Sequence, residues 1–321
     1  MIRRPQIQTM PLTESKPQTF NLGDLWRLRR VFVWCDMDLG ADSSGTMLAD
    51  GLLNTAVKEI IIRANGRKII EAPGRAFYKM RALLTGSPGI LVSPSTITSA
   101  TVHKTMIVID MDTVRSQLAR AGRLPAREMD SLVMTIVPGA GQTDMTSGGD
   151  GGGTLSGEWH VYAEGLESPR DGDGAHVGYR YVETDRVDVS AATPNNIIYL
   201  PTGRRIQRIL LECFDNSALS SALITDLAVR VGSSDRRNEA TFLDLQADNV
   251  ELFGLETDSN GEFALPGYAL IEFAREGSPA DWMDTRRLKA KSARIQFTSI
   301  SPTGSAWVNA TIFSIADRVG A

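Results

Sequence analysis

Short runs of β-branched and aromatic residues, each cut by glycine, proline or asparagine, set the rhythm of the chain. Val31, Val33 and Cys35 alternate with Phe32, Trp34 and Asp36, so one run offers two faces, both partly apolar. The stretch Val57-Lys-Glu-Ile-Ile-Ile-Arg63 is β-branched and runs into Asn65-Gly66, a strong hairpin dipeptide. Further strands are expected over 105–110, 131–137 and 158–163. Beyond these, 177–182, 197–200, 206–214, 223–231, 268–273, 293–300 and 307–315 read the same way. Helical periodicity stands out twice. Over 73–84, Phe77, Met80 and Leu84 share a face; over 241–252, Phe242, Leu245 and Leu252 do, with Asn249 interrupting. Each helix stops before a glycine, Gly86 or Gly254.

The order of these elements repeats. Residues 31–36 have a counterpart in 209–215, the strand 60–63 in 227–230, the first helix in the second, and 106–110 in 268–272. Arg63 is separated from Arg230, and Gly86 from Gly254, by nearly the same number of positions. Four successive elements in one order imply a duplicated β-domain. Many short strands with turns between them, and too few helices for βαβ units, imply sandwiches or barrels. The glycine-dense segment 139–157 is expected to be a long mobile surface loop, and the polar segment 168–175 a domain boundary. The expected division is an extended polar arm over 1–21, a first β-domain over 22–170 and a second over 171–321.

Composition narrows the classes. A chain of 321 residues accommodates two domains, and 42% hydrophobic with 22% charged residues is that of a soluble globular protein. Net charge of −4 and a pI near 5.5 argue against a nucleic-acid coat, which needs a basic stripe. The two cysteines, Cys35 and Cys213, sit inside apolar runs without a CxxC or CxxxH neighbour, so buried thiols are expected rather than a disulfide or metal site. No run approaches the roughly 18 apolar residues of a membrane span, and the first twenty residues have no signal-peptide core.

Candidate chemistry is thin. Asp110 and Asp112 form a DxDxV after an apolar strand, like the nucleophile and acid/base pair of haloacid-dehalogenase-type phosphatases, with Asp36 and Asp38 a weaker copy. That chemistry needs βαβ units and a later Lys, which the chain does not offer. Oxygen-rich loops at Asp36/Asp38/Asp42, Asp171/Asp173 and Asp258/Asn260/Glu262 have calcium-like spacing without completing an EF-hand, and solvated turns account for them. His103, His160 and His176 have no triad-like context, and the glycines of 148–153 lack the P-loop lysine. Arginines cluster at Arg27/Arg29/Arg30, Arg204/Arg205/Arg208 and Arg236/Arg237. Carboxylate partners across subunit contacts explain these better than phosphates do. Of the tryptophans, Trp26, Trp34, Trp159 and Trp307 are expected mostly in cores, and Trp282 as an interface anchor.

The strand 30–36, the strand ending at Asn65-Gly66, the Tyr/Phe/Leu-rich helix 74–86 and their second-half counterparts at 202–211 and 265–268 together resemble one known family. It is that of the double jelly-roll major capsid proteins of tailless icosahedral bacteriophages (corticovirus, tectovirus and finnlakevirus types), with adenovirus hexon a larger relative. The resemblance spans about residues 22–316. It implies an all-β fold of two tandem jelly-roll β-sandwiches, each with one short helix insertion, and a homotrimer forming a pseudo-hexagonal tile of an icosahedral virion shell. Implied partners are neighbouring capsomers, vertex or penton and minor capsid proteins, and an internal lipid membrane. No catalytic residue, cofactor or metal ligand and no specific nucleic-acid binding is expected. A carbohydrate-binding or adhesin β-sandwich, and a DxD phosphatase, are the alternatives.

Overall fold

The computed structural model describes residues 2–3, 5–23, 25–39, 45–47, 50–86, 91–92, 96–97, 101–112, 123–140, 144, 146–147, 155–166, 178–232, 235–254, 265–273 and 281–317. The chain divides into two compact units. The first comprises Met1–Arg81 with Pro88–Arg180, the second Ala82–Ser87 with Tyr181–Val319.

In the first unit eight strands build two antiparallel sheets: β1 (Gln6–Thr13), β2 (Gln18–Asn21), β3 (Arg27–Leu39), β4 (Glu59–Ala64), β5 (Arg67–Ala72), β6 (Thr101–Asp110), β7 (Leu132–Val137) and β8 (Leu155–Leu166). One sheet runs β1-β8-β3-β6 and the other β2-β7-β4-β5. The second unit repeats the plan with β9 (Tyr179–Val189), β10 (Thr193–Tyr199), β11 (Arg205–Asp215), β12 (Ile224–Val231), β13 (Asp235–Thr241), β14 (Tyr268–Glu272), β15 (Ala293–Ser299) and β16 (Ala306–Ala316). Its sheets run β9-β16-β11-β14 and β10-β15-β12-β13. In both units the chain crosses between the sheets in the same order, and the last strand inserts between the first and the third. The fold is two tandem jelly-roll sandwiches.

The repeat read from the sequence falls on equivalent strands: third with third (β3, β11), fourth with fourth (β4, β12) and sixth with sixth (β6, β14). Between the fifth and sixth strands of each repeat runs a helix, α2 (Gly74–Thr85) in the first half of the chain and α3 (Phe242–Phe253) in the second. An unforeseen short helix, α1 (Gly51–Ala56), precedes β4. Its Ala56 carbonyl accepts from the indole of Trp159, which is fully buried. No helix among the described residues is long and apolar enough to cross a membrane.

Alternation decides which side chains go inside. Val31, Val33, Cys35 and Met37 of β3 are buried, as are Trp159, Val161 and Ala163 of β8 and Ile60 and Ile62 of β4. In the second unit Ile209, Leu211, Cys213, Val308, Ala310 and Ile312 from one sheet join Leu227, Val229, Ile295 and Phe297 from the other in a single core. Each Val, Leu, Ile, Phe or Met side chain among them contributes about 1.5–3 kcal/mol by leaving water. The Asn65-Gly66 turn closes the β4–β5 hairpin as its dipeptide requires, with φ of 51° and 78°.

Three expectations need correction. Residues 1–21 are not a separate arm: β1 lies along β8 from Gln6 opposite Tyr162 to Thr13 opposite Ser156, and β2 pairs with β7. Gln, Thr and Pro11 hide these strands from a hydrophobic scan. Polar residues and proline are what an outer strand tolerates, and among the described side chains Leu12 of β1 and Phe20 of β2 are the buried ones. The segment 139–157 is not a loop to its end, since β8 begins at Leu155. There Gly157 sits so close to β3 that a Cβ would lie 2.1 Å from the Asp36 carbonyl oxygen. The helix faces also turn slightly: Leu83 rather than Leu84 is buried in α2, and Leu252 is exposed on α3.

The polar interruption of α3 has a definite task. The helix opens with a capping box, in which the Asp244 amide donates to the Thr241 hydroxyl and Thr241 N–H returns to the Asp244 carboxylate. It ends at Gly254 in the left-handed region. In between, buried Asn249 takes the place of a neighbouring strand along β14. Its amide donates to the Leu270 carbonyl at 2.8 Å, and its carbonyl accepts from Leu270 N–H at 2.7 Å. Gln246 donates to the Tyr268 carbonyl at 2.8 Å. Replacing Asn249 with Leu keeps the volume but orphans two buried backbone groups. The Asn249→Leu variant is therefore expected to lose about 2–4 kcal/mol in urea unfolding, while Glu251→Ala on the exposed face stays within about 0.5 kcal/mol of the parent.

Candidate functional site

The DxD residues lie where β6 ends. Asp110 stands opposite Arg30 of β3 and faces its guanidinium at 3.7 Å. Asp112, 8% exposed, accepts from Arg29 Nε at 3.1 Å and lies 3.8 Å from Arg123 Nε. Arg29 also reaches Glu164 of β8 at 2.8 Å, and Arg180 donates to the Asp112 carbonyl. The strand end is thus a partly buried network in which guanidinium groups compensate the carboxylates. Burial, together with the neighbouring charge of Asp110, outweighs the hydrogen bond from Arg29 and the attraction of Arg123 and pushes the Asp112 carboxyl up to about 6. Asp110 and Asp112 are adjacent, as their spacing requires. The strands around them are antiparallel, without the parallel βαβ frame of a phosphatase. Arg123, Glu164 and Arg180 escaped the sequence reading, because only the fold brings them to Asp112.

The outward side of the same sheet carries a second constellation. Register puts Trp34 between Met106 and His160, Phe32 between Val108 and Tyr162, and Asp36 between Lys104 and Glu158. Phe32, Trp34, Asp36, Met106, His160 and Tyr162 line an open groove of about 420 Å³. Charges of both signs hem one end: Lys104 pairs with Asp36 at 3.3 Å, and His160 Nε2 lies 3.7 Å from Glu158 and 4.0 Å from Asp36. Thr9 of β1 bonds His160 Nδ1 at 3.0 Å. The two-faced alternation of residues 31–36 was the signal for this groove.

The remaining candidates disperse. Trp159 is core, but Trp34 is half-buried on the outward face. Trp282, expected at an interface, is buried, with Arg205 5.4 Å from its ring centroid. Arg204, Arg205 and Arg208 find partners within their own chain, Glu183, Asp317 and Glu272, at 3.1–3.3 Å. Arg236 and Arg237 fall on β13, with side chains outside the description. His103 is buried in β6. Cys35 and Cys213 are free and buried, and burial raises both thiols well above the ordinary range. Asp42, Asp171, Asp173, His176, Asp258, Asn260, Glu262 and the glycines of 148–153 lie outside the described residues. Among the described residues no three His, Cys, Asp or Glu side chains gather to hold a metal ion.

Fold and surface together define a double jelly-roll protein whose described polar residues form charge networks and a groove. No protein-family sequence model matches the chain, and no curated protein matches it in sequence. Solved structures do match, from end to end. The MCP of STIV, the Sulfolobus turreted icosahedral virus, is 12% identical with a TM-score of 0.77, covering 99% of this chain and 97% of that one. The major capsid protein P2 of bacteriophage PM2 is 11% identical with a TM-score of 0.62, covering all of both chains. PBCV-1 VP54 is 10% identical with a TM-score of 0.63, covering 98% of this chain and 94% of that one. At such identities the likeness is one of fold.

The Asp112 network sets a pH dependence. A carboxyl raised from 3.8 to about 6 favours the folded state most when protonated. Its contribution is whole below about pH 4 and is lost as pH rises through 6, by about 3 kcal/mol in all. Asp112→Asn should therefore gain on the parent in urea midpoint between pH 4 and 7. A constant gap between the two across that range would contradict the assignment.

Proposed function

We propose that this chain is a viral major capsid protein that self-associates into trimers tiling an icosahedral shell, and that it works as a structural protein rather than an enzyme. One observation carries this reading. Both jelly rolls, in order and over nearly their whole length, match a solved major capsid protein, with 99% of this chain and 97% of the other covered. A lone jelly roll serves many functions, and a tandem pair in this strand order narrows them. The acidic charge favours protein partners over nucleic acid. On this reading the two jelly rolls are the domains and the virion shell is the location. Neighbouring capsomers are the main partners, with vertex and minor capsid proteins and an internal membrane beside them. Asp110 and Asp112 serve the first jelly roll as part of its arginine network.

Light scattering on the purified chain is expected to give three times 34.9 kDa, and negative-stain images hexagonal tiles or shells. A monomer at every salt, calcium and protein concentration would overturn the proposal. Asp110→Asn is expected to assemble as the parent does, and neither protein should release phosphate from p-nitrophenyl phosphate above buffer.

A further inference from the structure

One row across the outward face of the second jelly roll gathers positive charge. The inward neighbours Ile198, Ile295 and Val229 are 0% exposed, so alternation turns Tyr199 of β10, Arg294 of β15 and Arg230 of β12 outward. Register sets Tyr199 opposite Arg294, Arg294 opposite Arg230, and Arg230 opposite Arg236 of β13. Like charges directly opposite one another destabilise a sheet. Elsewhere in this jelly roll Arg186, Arg204, Arg205, Arg208 and Arg286 each face a carboxylate at 2.7–3.3 Å. Among the described residues Arg230 and Arg294 face none: Arg294 Nη1 donates to the Gly232 carbonyl at 3.2 Å, and Arg230 Nε is shielded from solvent without an acceptor. β10 and β15 contain no Asp or Glu. Asp226 of β12 comes four residues before Arg230, about 13 Å along the strand. On β13, Asp235 stands opposite Val231, and Glu239 falls in the bulged stretch facing Leu227 to Val229.

We infer that Arg230 and Arg294 bind a phosphate-class oxyanion, a tetrahedral dianion that bridges the two guanidinium groups. A carboxylate brings one charge and two oxygens, which a single guanidinium fork uses up. A phosphate group brings nearly two charges and three or more oxygens, enough for both forks. Its arrival turns two facing like charges from a repulsion into a shared contact. Lys291 stands at the same end of the sheet, its Nζ 5.4 Å from the centroid of the Tyr199 ring, and Tyr199 is 43% exposed. Since Tyr199 is the cross-strand neighbour of Arg294, a third cation and a phenol hydroxyl border the pair. The site is independent of the shell-building reading.

Equilibrium dialysis of the full chain against labelled inorganic phosphate measures binding, and urea midpoints in phosphate and in chloride of equal ionic strength report folding. Phosphate also stabilises folded proteins in general by exclusion from their surfaces, so the comparison with variants decides. The parent is expected to bind saturably. Arg230→Gln and Arg294→Gln should each weaken binding at least about 10-fold, the scale of a lost charge-assisted hydrogen bond. Arg287→Gln removes the same charge from an exposed position outside the row and should match the parent. In chloride Arg230→Gln is expected to unfold at higher urea than the parent, because one of two facing like charges is gone; in phosphate the order reverses. If Arg294→Gln fails to fold, Arg230→Gln still decides. Flotation with phosphatidylcholine vesicles, with and without phosphatidic acid, separates a lipid headgroup from the free ion. Flotation that needs both phosphatidic acid and Arg230 assigns the headgroup, and dialysis binding without flotation assigns the free ion. A parent that neither retains phosphate nor floats overturns the inference, as do Arg230→Gln and Arg294→Gln chains that bind as the parent does. Neither result bears on whether the chain assembles.

Discussion

The last strand of each jelly roll holds the fold shut. β8 lies between β1 and β3, and β16 between β9 and β11, so the sheet that begins with the first strand is incomplete until the eighth arrives. The β3–β8 ladder joins Arg27 to Leu166 and Leu39 to Leu155. Closing contacts between residues so far apart in sequence costs loop entropy before any packing compensates it, which makes such topologies slow to form. Much else follows from that insertion. It brings Glu164 to Arg29 and so completes the surroundings of Asp112. It also sets His160 and Tyr162 beside Trp34 and Phe32, without which the outward groove does not exist.

What the sequence disclosed depended on how steeply each side chain's burial was written into its type. The central strands β3, β11 and β16 carry long apolar runs, and the repeat from the third strand to the sixth could be read from them. Asn65-Gly66 and the glycines after each helix revealed their turns because few other residues adopt positive φ. The outermost strands gave little. β1 has a single buried apolar residue, so Gln, Thr and Pro looked like an arm when they were the first strand of a sandwich. β5, which opens on Arg67-Lys68, and β13, which carries Arg236-Arg237, were missed as well.

The candidate sites were less legible than the fold. Asp110 and Asp112 announced themselves by spacing, but their partners come from three other places in the chain, and only tertiary pairing selects them. Asn249 looked like a flaw in an amphipathic helix until its two bonds to Leu270 showed that the face it interrupts meets backbone rather than apolar side chains. Trp34 stands half-buried on the outward face and Trp282 is buried, the reverse of what their contexts suggested. Both sit in sequence contexts that fit either side of a strand or turn, and composition carries no information about which side meets solvent.

The amides of α3 also bear on how such a chain avoids sticking to its own copies. A strand with free backbone groups along one side will accept any passing extended segment, and sheets grown that way are hard to undo. Along β14, Asn249 and Gln246 occupy those groups from within. Two copies that meet there can then pair only by matching side-chain surfaces. Such contacts are weaker one by one than a backbone ladder, so they break and re-form where a grown sheet would not.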